Sequence, residues 1–207
     1  MDVRSFTTEE VFASTTYVLS SNQWVILIDP WYYSLELNNY LHHIGTLDAI
    51  LITHWHGDHI RDIDAIKKDF PLSKVYVHKE DLEMLKDPYL NCARLVGNYD
   101  IIVESDVTSI EEWNLKIWWY DIQVIHTPWH TYGGVMYYFI NENVLFLWDT
   151  ILWNSIGTMK IPTWNEWLMY KSLEKFKNLD LWLDTLTYSW HWDVMKYWDL
   201  LKMNNFL

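Results

Sequence analysis

The chain has 207 residues, half of them hydrophobic, and a formal charge of −13 from 28 acidic and 15 basic side chains. Such a composition excludes a disordered polyelectrolyte and is enough for one buried core, so residues 1–207 are read as a single domain. The acidic excess removes the main driving term for binding nucleic acid or an anionic membrane, and no apolar run is long enough for a bilayer.

In chain order, β-branched residues predict strands at Val11–Leu19 and Val25–Ile28, the second ending in Asp29-Pro30. Helical spacing follows over Leu35–His43, then a buried strand at Asp48–Thr53. Apolar residues at 60, 63, 66 and 70 predict a helix over Ile60–Phe70, stopped by Pro71. Lys74–Val77 reads as a short strand and Lys79–Lys86 as a short helix before Pro88. From Ile101 to Leu147 the pattern becomes short strands at 101–103, 107–110, 115–119, 121–125, 135–140 and 143–147, with a hairpin turn at Asn141-Glu142-Asn143. Glu166–Phe176 is an amphipathic helix, Thr185–Thr187 a last strand and Val194–Met203 a closing helix. Elements in this succession, without linker or repeat, make an α/β or α+β chain packed in layers. The N-terminus lacks a basic segment followed by an apolar one, so no secretory leader is expected. Cys92 has no partner for an internal disulfide, is read as a small buried hydrophobe, and fits a reducing cytoplasm.

The strand Asp48–Thr53 runs into His54-Trp55-His56-Gly57-Asp58-His59. Three imidazoles and a carboxylate in six residues, directly after a buried strand, are costly to place without a cation. Alternation puts His54 and His56 on one side of an extended segment. Gly57 lets the chain turn, so that Asp58 and His59 face a second point nearby. Imidazole and carboxylate are the ligands expected for zinc, or for iron and manganese. Further candidates stand at other strand ends: His130 beyond a Pro turn, Asp149 after Val144–Leu147, and His191 after Thr185–Thr187. His54, His56 and His130 can fill one site and Asp58, His59 and His191 a second, with Asp149 bridging them. Two ions about 3.5–4 Å apart can hold a hydroxide and polarise a carbonyl or phosphoryl oxygen. Elsewhere, His126 is read as structural, His42, His43 and His78 as surface histidines, and Tyr132 as a pocket-lining side chain. Glu9-Glu10 and Glu111-Glu112 are read as solvated faces.

These motifs resemble, in order and over nearly the whole chain, those of metallo-β-lactamase-fold hydrolases, and among them the glyoxalase II-like (hydroxyacylglutathione hydrolase-like) branch. VILIDP resembles the first strand motif of that family, THWHGDH its T-H-x-H-x-D-H, and VIHTPWHTYGG its T-P-G-H-T-x-G-G. VLFLWDTIL resembles L-F-x-G-D-T-L-F, SWHW resembles P-G-H-G, and the terminal NNFL resembles N-P-F-L. The resemblance implies a four-layer αββα sandwich with two divalent metals, zinc first and iron or manganese as alternatives. It implies that Asp29 supports the ligands from behind, and that Asp58 both ligates and orients an attacking hydroxide on a small thioester. The partner it implies is a small molecule, with no nucleic acid and no membrane, in the cytoplasm.

Three departures narrow that implication. Relatives often read S-I-G-R-T-D-x-P where this chain has Ser155-Ile156-Gly157-Thr158-Met159-Lys160-Ile161-Pro162, and their His-Ile-Gly-Gly is here His59-Ile60-Arg61-Asp62. The C-terminal helical domain with which glyoxalase II helps bind glutathione is not expected here, since NNFL matches the close of the family's core, so specificity for S-lactoylglutathione is not carried over. Other activities of the same fold are therefore kept open: a persulfide dioxygenase-like mononuclear iron enzyme, a lactonase, a β-lactamase or a phosphodiesterase. An RNA-processing nuclease is disfavoured by the acidic charge.

The chain holds 15 Trp and 6 Gly, where average usage predicts about 14 Gly. Trp31, Trp129, Trp148, Trp190 and Trp192 stand where the family usually has glycine, and Trp113, Trp118 and Trp198 where glycine is frequent. Glycine at such places permits positive φ or close backbone approach. A single cause accounts for the whole set: the codon UGA, read as glycine in some bacterial lineages, translated here as tryptophan. The alternative is a truly Trp-rich, metal-poor and inactive variant.

Overall fold

The computed structural model describes residues 1–7, 14–96, 100–159, 161, 163–190 and 194–207. The chain divides into two compact units, one of Met1–Val77 with Leu82–Ile110, the other of His78–Asp81 with Glu111–Leu207.

The first unit carries β1 (Asp2–Phe6), β2 (Thr16–Ser20), β3 (Val25–Ile28), α1 (Leu35–Ile44), β4 (Ala49–Leu51), α2 (Gly57–Ile60), α3 (Ile63–Asp69), β5 (Lys74–His78), α4 (Ala93–Val96) and β6 (Val107–Ile110). Its six-stranded sheet runs in sequence order. β1, β2 and β3 are antiparallel neighbours, while β3, β4 and β5 are parallel. The parallel pairs follow from their connections, because each return to the same end of the sheet needs a crossover long enough for a helix. β3 and β4 read VILI and AIL and are buried throughout, the continuous apolar run expected of interior parallel strands. Ser34 caps α1 by accepting from Leu37 N, and Gly45 ends it with a left-handed φ of 81°.

Four sequence expectations are revised here. The strand expected from Val11 begins at Thr16, and residues 11–13 lie outside the described residues. The helix expected over Ile60–Phe70 is broken into α2 and α3, because Asp62 N donates to Pro30 O and Asp62 Oδ2 accepts from Tyr33 N. The segment 79–86 forms two 3₁₀ turns, Lys79–Asp81 and Glu83–Lys86, instead of one helix. Residues 101–103 make no strand: Val103 N donates to Leu85 O, and Asp64 takes the next two amides, of Glu104 and Ser105.

The second unit carries β7 (Trp113–Ile117), β8 (Tyr120–His126), β9 (Val135–Phe139), β10 (Val144–Phe146), α5 (Glu166–Lys177), β11 (Leu186–Tyr188), β12 (Met195–Lys196) and α6 (Tyr197–Met203). Its sheet order is β12-β11-β10-β9-β8-β7. The β10–β11 pair is parallel and its connection carries α5; the others are antiparallel. Asn165 caps α5 by accepting from Leu168 N. The helix buries Met169, Leu173 and Phe176 in a cluster with Ile125, Leu145, Leu147 and Leu200. The closing helix expected from Val194 starts only at Tyr197, since Met195–Lys196 pairs with β11. The register Ile117↔Tyr120 leaves a two-residue turn, Trp118-Trp119, with φ of 58° at Trp118. Trp113 has φ of 126°.

Together the units give the mixed α/β chain with two sheets that the sequence predicts. Among the described residues, no helix is long and apolar enough to cross a membrane.

Candidate metal centre

In the first unit, the end of β4 delivers Ile52 and Thr53 straight into the His54–His59 segment. His54, His56 and His59 are all buried, while Asp58 keeps 13% of its side chain exposed. Gly57 opens α2, and its need for glycine is spatial: a Cβ there would lie 3.0 Å from Ala93 Cα, while Gly57 N donates to Asn91 O at 2.7 Å.

Asp29, at the end of β3, organises the imidazoles from behind. Its carboxylate accepts from Thr53 N at 2.7 Å, Thr53 Oγ1 at 2.5 Å and His59 Nδ1 at 2.7 Å. Burial pushes the Asp29 carboxyl above its ordinary range, against the downward pull of His59 and Thr53. Because Thr53 gives its proton to Asp29, Thr53 Oγ1 must accept from His54 Nδ1, 3.1 Å away. Protons assigned from these partners place Nδ1–H on both His54 and His59 and leave lone pairs on both Nε2 atoms.

His54 Nε2 then faces His56 Nδ1 at 3.0 Å, a separation that suits a hydrogen bond or two ligands of one ion. His59 Nε2 lies 3.6 Å from Asp58 Oδ2, lone pair toward carboxylate, with Ser14 Oγ also 3.4 Å from that nitrogen.

In the second unit, β8 and β9 are joined by the loop that carries His130. Thr127 N donates to Gly134 O across its mouth. Ser172 Oγ donates to Pro128 O, Asn165 N to Trp129 O, and Thr163 Oγ1 to His130 O. His130 Nδ1 stands 3.0 Å from Thr158 O, which can only accept, so Nε2 again presents a lone pair. That Nε2 faces Asp149 Oδ2, just beyond β10, at 3.4 Å.

Two imidazole lone pairs therefore each point at a carboxylate, an arrangement that demands a proton or a cation between them. Ligand atoms about 2.0–2.1 Å from a tetrahedral ion stand about 3.3 Å apart, close to the 3.0, 3.6 and 3.4 Å found for the three pairs. The donor set fits divalent metal. His191 and Trp192 lie outside the described residues.

Two indoles border His130. Trp129 is fully buried and donates from Nε1 to Thr150 Oγ1; Trp148 is 1% exposed and donates to Thr127 Oγ1. Their rings lie 5.5 and 5.9 Å from the His130 ring. Trp148 also fills the space over Gly134, where a Cβ would fall 1.8 Å from its Cη2.

Other histidines divide. His42 and His43 are exposed, as expected. His78 is not a surface histidine: it is 3% exposed and stacks on His126 with centroids 4.0 Å apart. Burial and the His126 ring lower the His78 pKa to about 4. Cys92 is buried as expected, its thiol pushed up to about 11 by burial and by Asp58, so it is a poor nucleophile. Glu111 is solvent-exposed but pairs with Lys79, and Glu112 pairs with Lys175. Tyr132 is 43% exposed. Sequence reading missed Thr53, Thr158 and Asp81; only Thr53 carries a local cue, as the first letter of the histidine motif.

A fold of two mixed sheets with histidine-rich strand ends defines a class, and residues 10–183 match the family described as the Metallo-beta-lactamase superfamily. The chain belongs to that superfamily. It is 31% identical over 165 residues to a protein of Streptococcus pyogenes serotype M6 described as a probable metallo-hydrolase, covering 77% of this chain and 71% of that one. A hydroxyacylglutathione hydrolase of Francisella tularensis subsp. novicida is 26% identical over 164 residues, 79% of this chain but 58% of the relative. Among solved structures, the B3 metallo-beta-lactamase BLEG-1 is similar with a TM-score of 0.89 and 29% identity, over 100% of this chain and 99% of that one.

Proposed function

We propose that the chain is a hydrolase that works with two divalent metal ions on a small thioester of hydroxyacylglutathione type. The observation that supports this most is the facing of lone pairs and carboxylates at His59–Asp58 and His130–Asp149. One ion would take His54, His56 and His130, the other Asp58, His59 and His191, with Asp149 shared. Zinc is the metal proposed, with iron or manganese as alternatives. When bound, such ions supply Lewis acidity toward a carbonyl oxygen and bring the pKa of a water close to neutral. The chain's own residues hold that chemistry in place. Asp29 and Thr158 O fix the imidazole tautomers, and Asp58, partly exposed beside His59, accepts a hydrogen bond from the attacking water and so orients it.

The likeness to the Francisella enzyme favours a thioester, and the 29% identity to a B3 metallo-beta-lactamase favours β-lactam hydrolysis as a second reading. A cytoplasmic place and a small-molecule partner complete the proposal, with no nucleic acid and no membrane. The test is His56→Ala in the metal-loaded protein, assayed on thioester, lactone, β-lactam and phosphodiester substrates. Metal and hydrolysis are expected to be lost together while the circular dichroism spectrum is kept. Full thioesterase activity in that variant overturns the mechanism.

We also infer that the tryptophans at family glycine positions record UGA codons meant as glycine. The support is conformational at Trp113 and Trp118, whose φ of 126° and 58° a bulky side chain rarely adopts. At Trp31, Trp129, Trp148 and Trp190, φ is not positive, and the support is that these four indoles are buried where the family pattern has glycine, Trp148 taking the space over Gly134 beside His130. The gene decides: UGG at 113 and 118 sinks the inference.

A further inference from the structure

We infer that Asp81 is a positioning residue for the His130 turn, an inference that rests on His130 being a metal ligand. Asp81 lies some fifty residues upstream (Thr131 follows it by 50 in sequence), at the end of the 3₁₀ turn Lys79–Asp81, within the stretch His78–Asp81 that belongs to the second unit. Its side chain is fully buried. Oδ2 accepts from Thr131 Oγ1 at 2.8 Å and Oδ1 from Gly133 N at 2.6 Å, so one carboxylate binds the residue directly after His130 and the third one after it.

The loop's backbone shows why this matters. Its carbonyls at Pro128, Trp129 and His130 are met by Ser172, Asn165 and Thr163, and the Tyr132 carbonyl by His126 Nε2. Those bonds hold the acceptors. The donors that follow His130, the Thr131 hydroxyl and the Gly133 amide, are held by Asp81. A carboxylate bond to N–H or O–H is short and strong, and burial leaves it unscreened.

Gly133 is an independent sign that the loop is shaped around this side chain. A Cβ there would stand 2.5 Å from Asp81 Cγ and 2.6 Å from Oδ1. Its φ is not positive, so space for the carboxylate is what glycine provides. Release of Asp81 frees the loop on one side, and the His130 ring, anchored at Nδ1 through Thr158 O, loses the orientation that aims Nε2 at Asp149.

The test uses the full chain with Asp81→Ala, Asp81→Asn and Thr131→Val, with two readouts. The first is the His130 ring ¹⁵N shifts of the metal-free protein at alkaline pH, which report the tautomer. Wild type is expected to show one Nδ1-protonated form, and Asp81→Ala an average of both tautomers. Thr131→Val, which keeps the Gly133 bond, and Asp81→Asn, which can still accept from Gly133 N, are expected to fall between. The second readout is zinc affinity by chelator competition, expected to drop by about 10–100-fold in Asp81→Ala. If Asp81→Ala does not fold, Thr131→Val and Asp81→Asn carry the same comparison. Variants that melt earlier yet keep the wild-type tautomer and zinc affinity would show a purely structural Asp81 and overturn the inference. A wild type that binds no zinc, iron or manganese defeats the metal-site proposal instead, and the tautomer readout still decides the role of Asp81.

Discussion

Asp29 shows how one buried carboxylate sets the protonation of two imidazoles it serves differently. It touches His59 directly and reaches His54 through the Thr53 hydroxyl. Its φ of 47° is one that Asn adopts readily, so Asp29→Asn keeps the backbone while replacing an acceptor with a donor amide. That variant is expected to fold and to bind zinc about 10–100-fold more weakly, measured by chelator competition. Unchanged affinity would mean that the tautomers are set by something other than Asp29. Part of this residue-scale chemistry was legible: the spacing of His54, His56, Asp58 and His59 marks them as candidate ligands, and alternation anticipates the His54–His56 pair. Asp81 was not, because its bonds to Thr131 and Gly133 span 50 and 52 residues and no local pattern marks them.

Elements follow the sequence where burial alone shapes them and depart where a polar group intervenes. The strands VILI and VMYYF are buried along their length and lie where apolar runs predict them. The helix expected over Ile60–Phe70 breaks at Asp62, whose amide and carboxylate bind the segment after β3. Pattern reading cannot see such a competitor, since it lies thirty residues away in sequence. The β7–β8 hairpin makes the opposite point. A two-residue turn with positive φ at its first position only has the form that takes glycine there, and here it carries Trp118. Trp118 and Trp113 are 68% and 80% exposed, so replacing them forfeits little packing. Relief of strain, roughly 1–3 kcal/mol per site, exceeds the extra backbone entropy of glycine, about 0.5–1 kcal/mol. Trp113→Gly and Trp118→Gly are each expected to stabilise by about 1 kcal/mol, read as a higher urea midpoint; a lower midpoint for both would contradict the strain assigned to them.

For the whole molecule, metal and protons act on folding by linkage. If the ligands bind ions only when folded, chelation is expected to lower the Tm and excess zinc to restore it, by about 2.7 kcal/mol at a hundredfold excess over Kd. A Tm indifferent to both would remove the metal from the folded state. Acid stability has a different source. His78 faces His126, Lys79 and Glu111, and its pKa is lowered to about 4 from an ordinary 6.5. Below pH 6.5 the unfolded chain takes up a proton that the folded chain refuses until about pH 4. The contribution is complete above that window and declines as pH falls through it, with a slope of at most about 1.4 kcal/mol per pH unit for one proton. Denaturation across this range is expected to be flatter in His78→Phe; an identical slope would place the proton uptake elsewhere.

The sequence by itself determined the α/β character and, through its motifs, the superfamily, because hydrophobic periodicity and motif spacing are local properties that survive in one dimension. Only the tertiary structure decided which nitrogen is assigned the proton in His54, His59 and His130, that His78 is buried against His126, and that Asp81 holds the His130 turn. Each of these depends on a partner many residues distant, and the hydrogen bond that decides it exists only when folding brings donor and acceptor within about 3 Å.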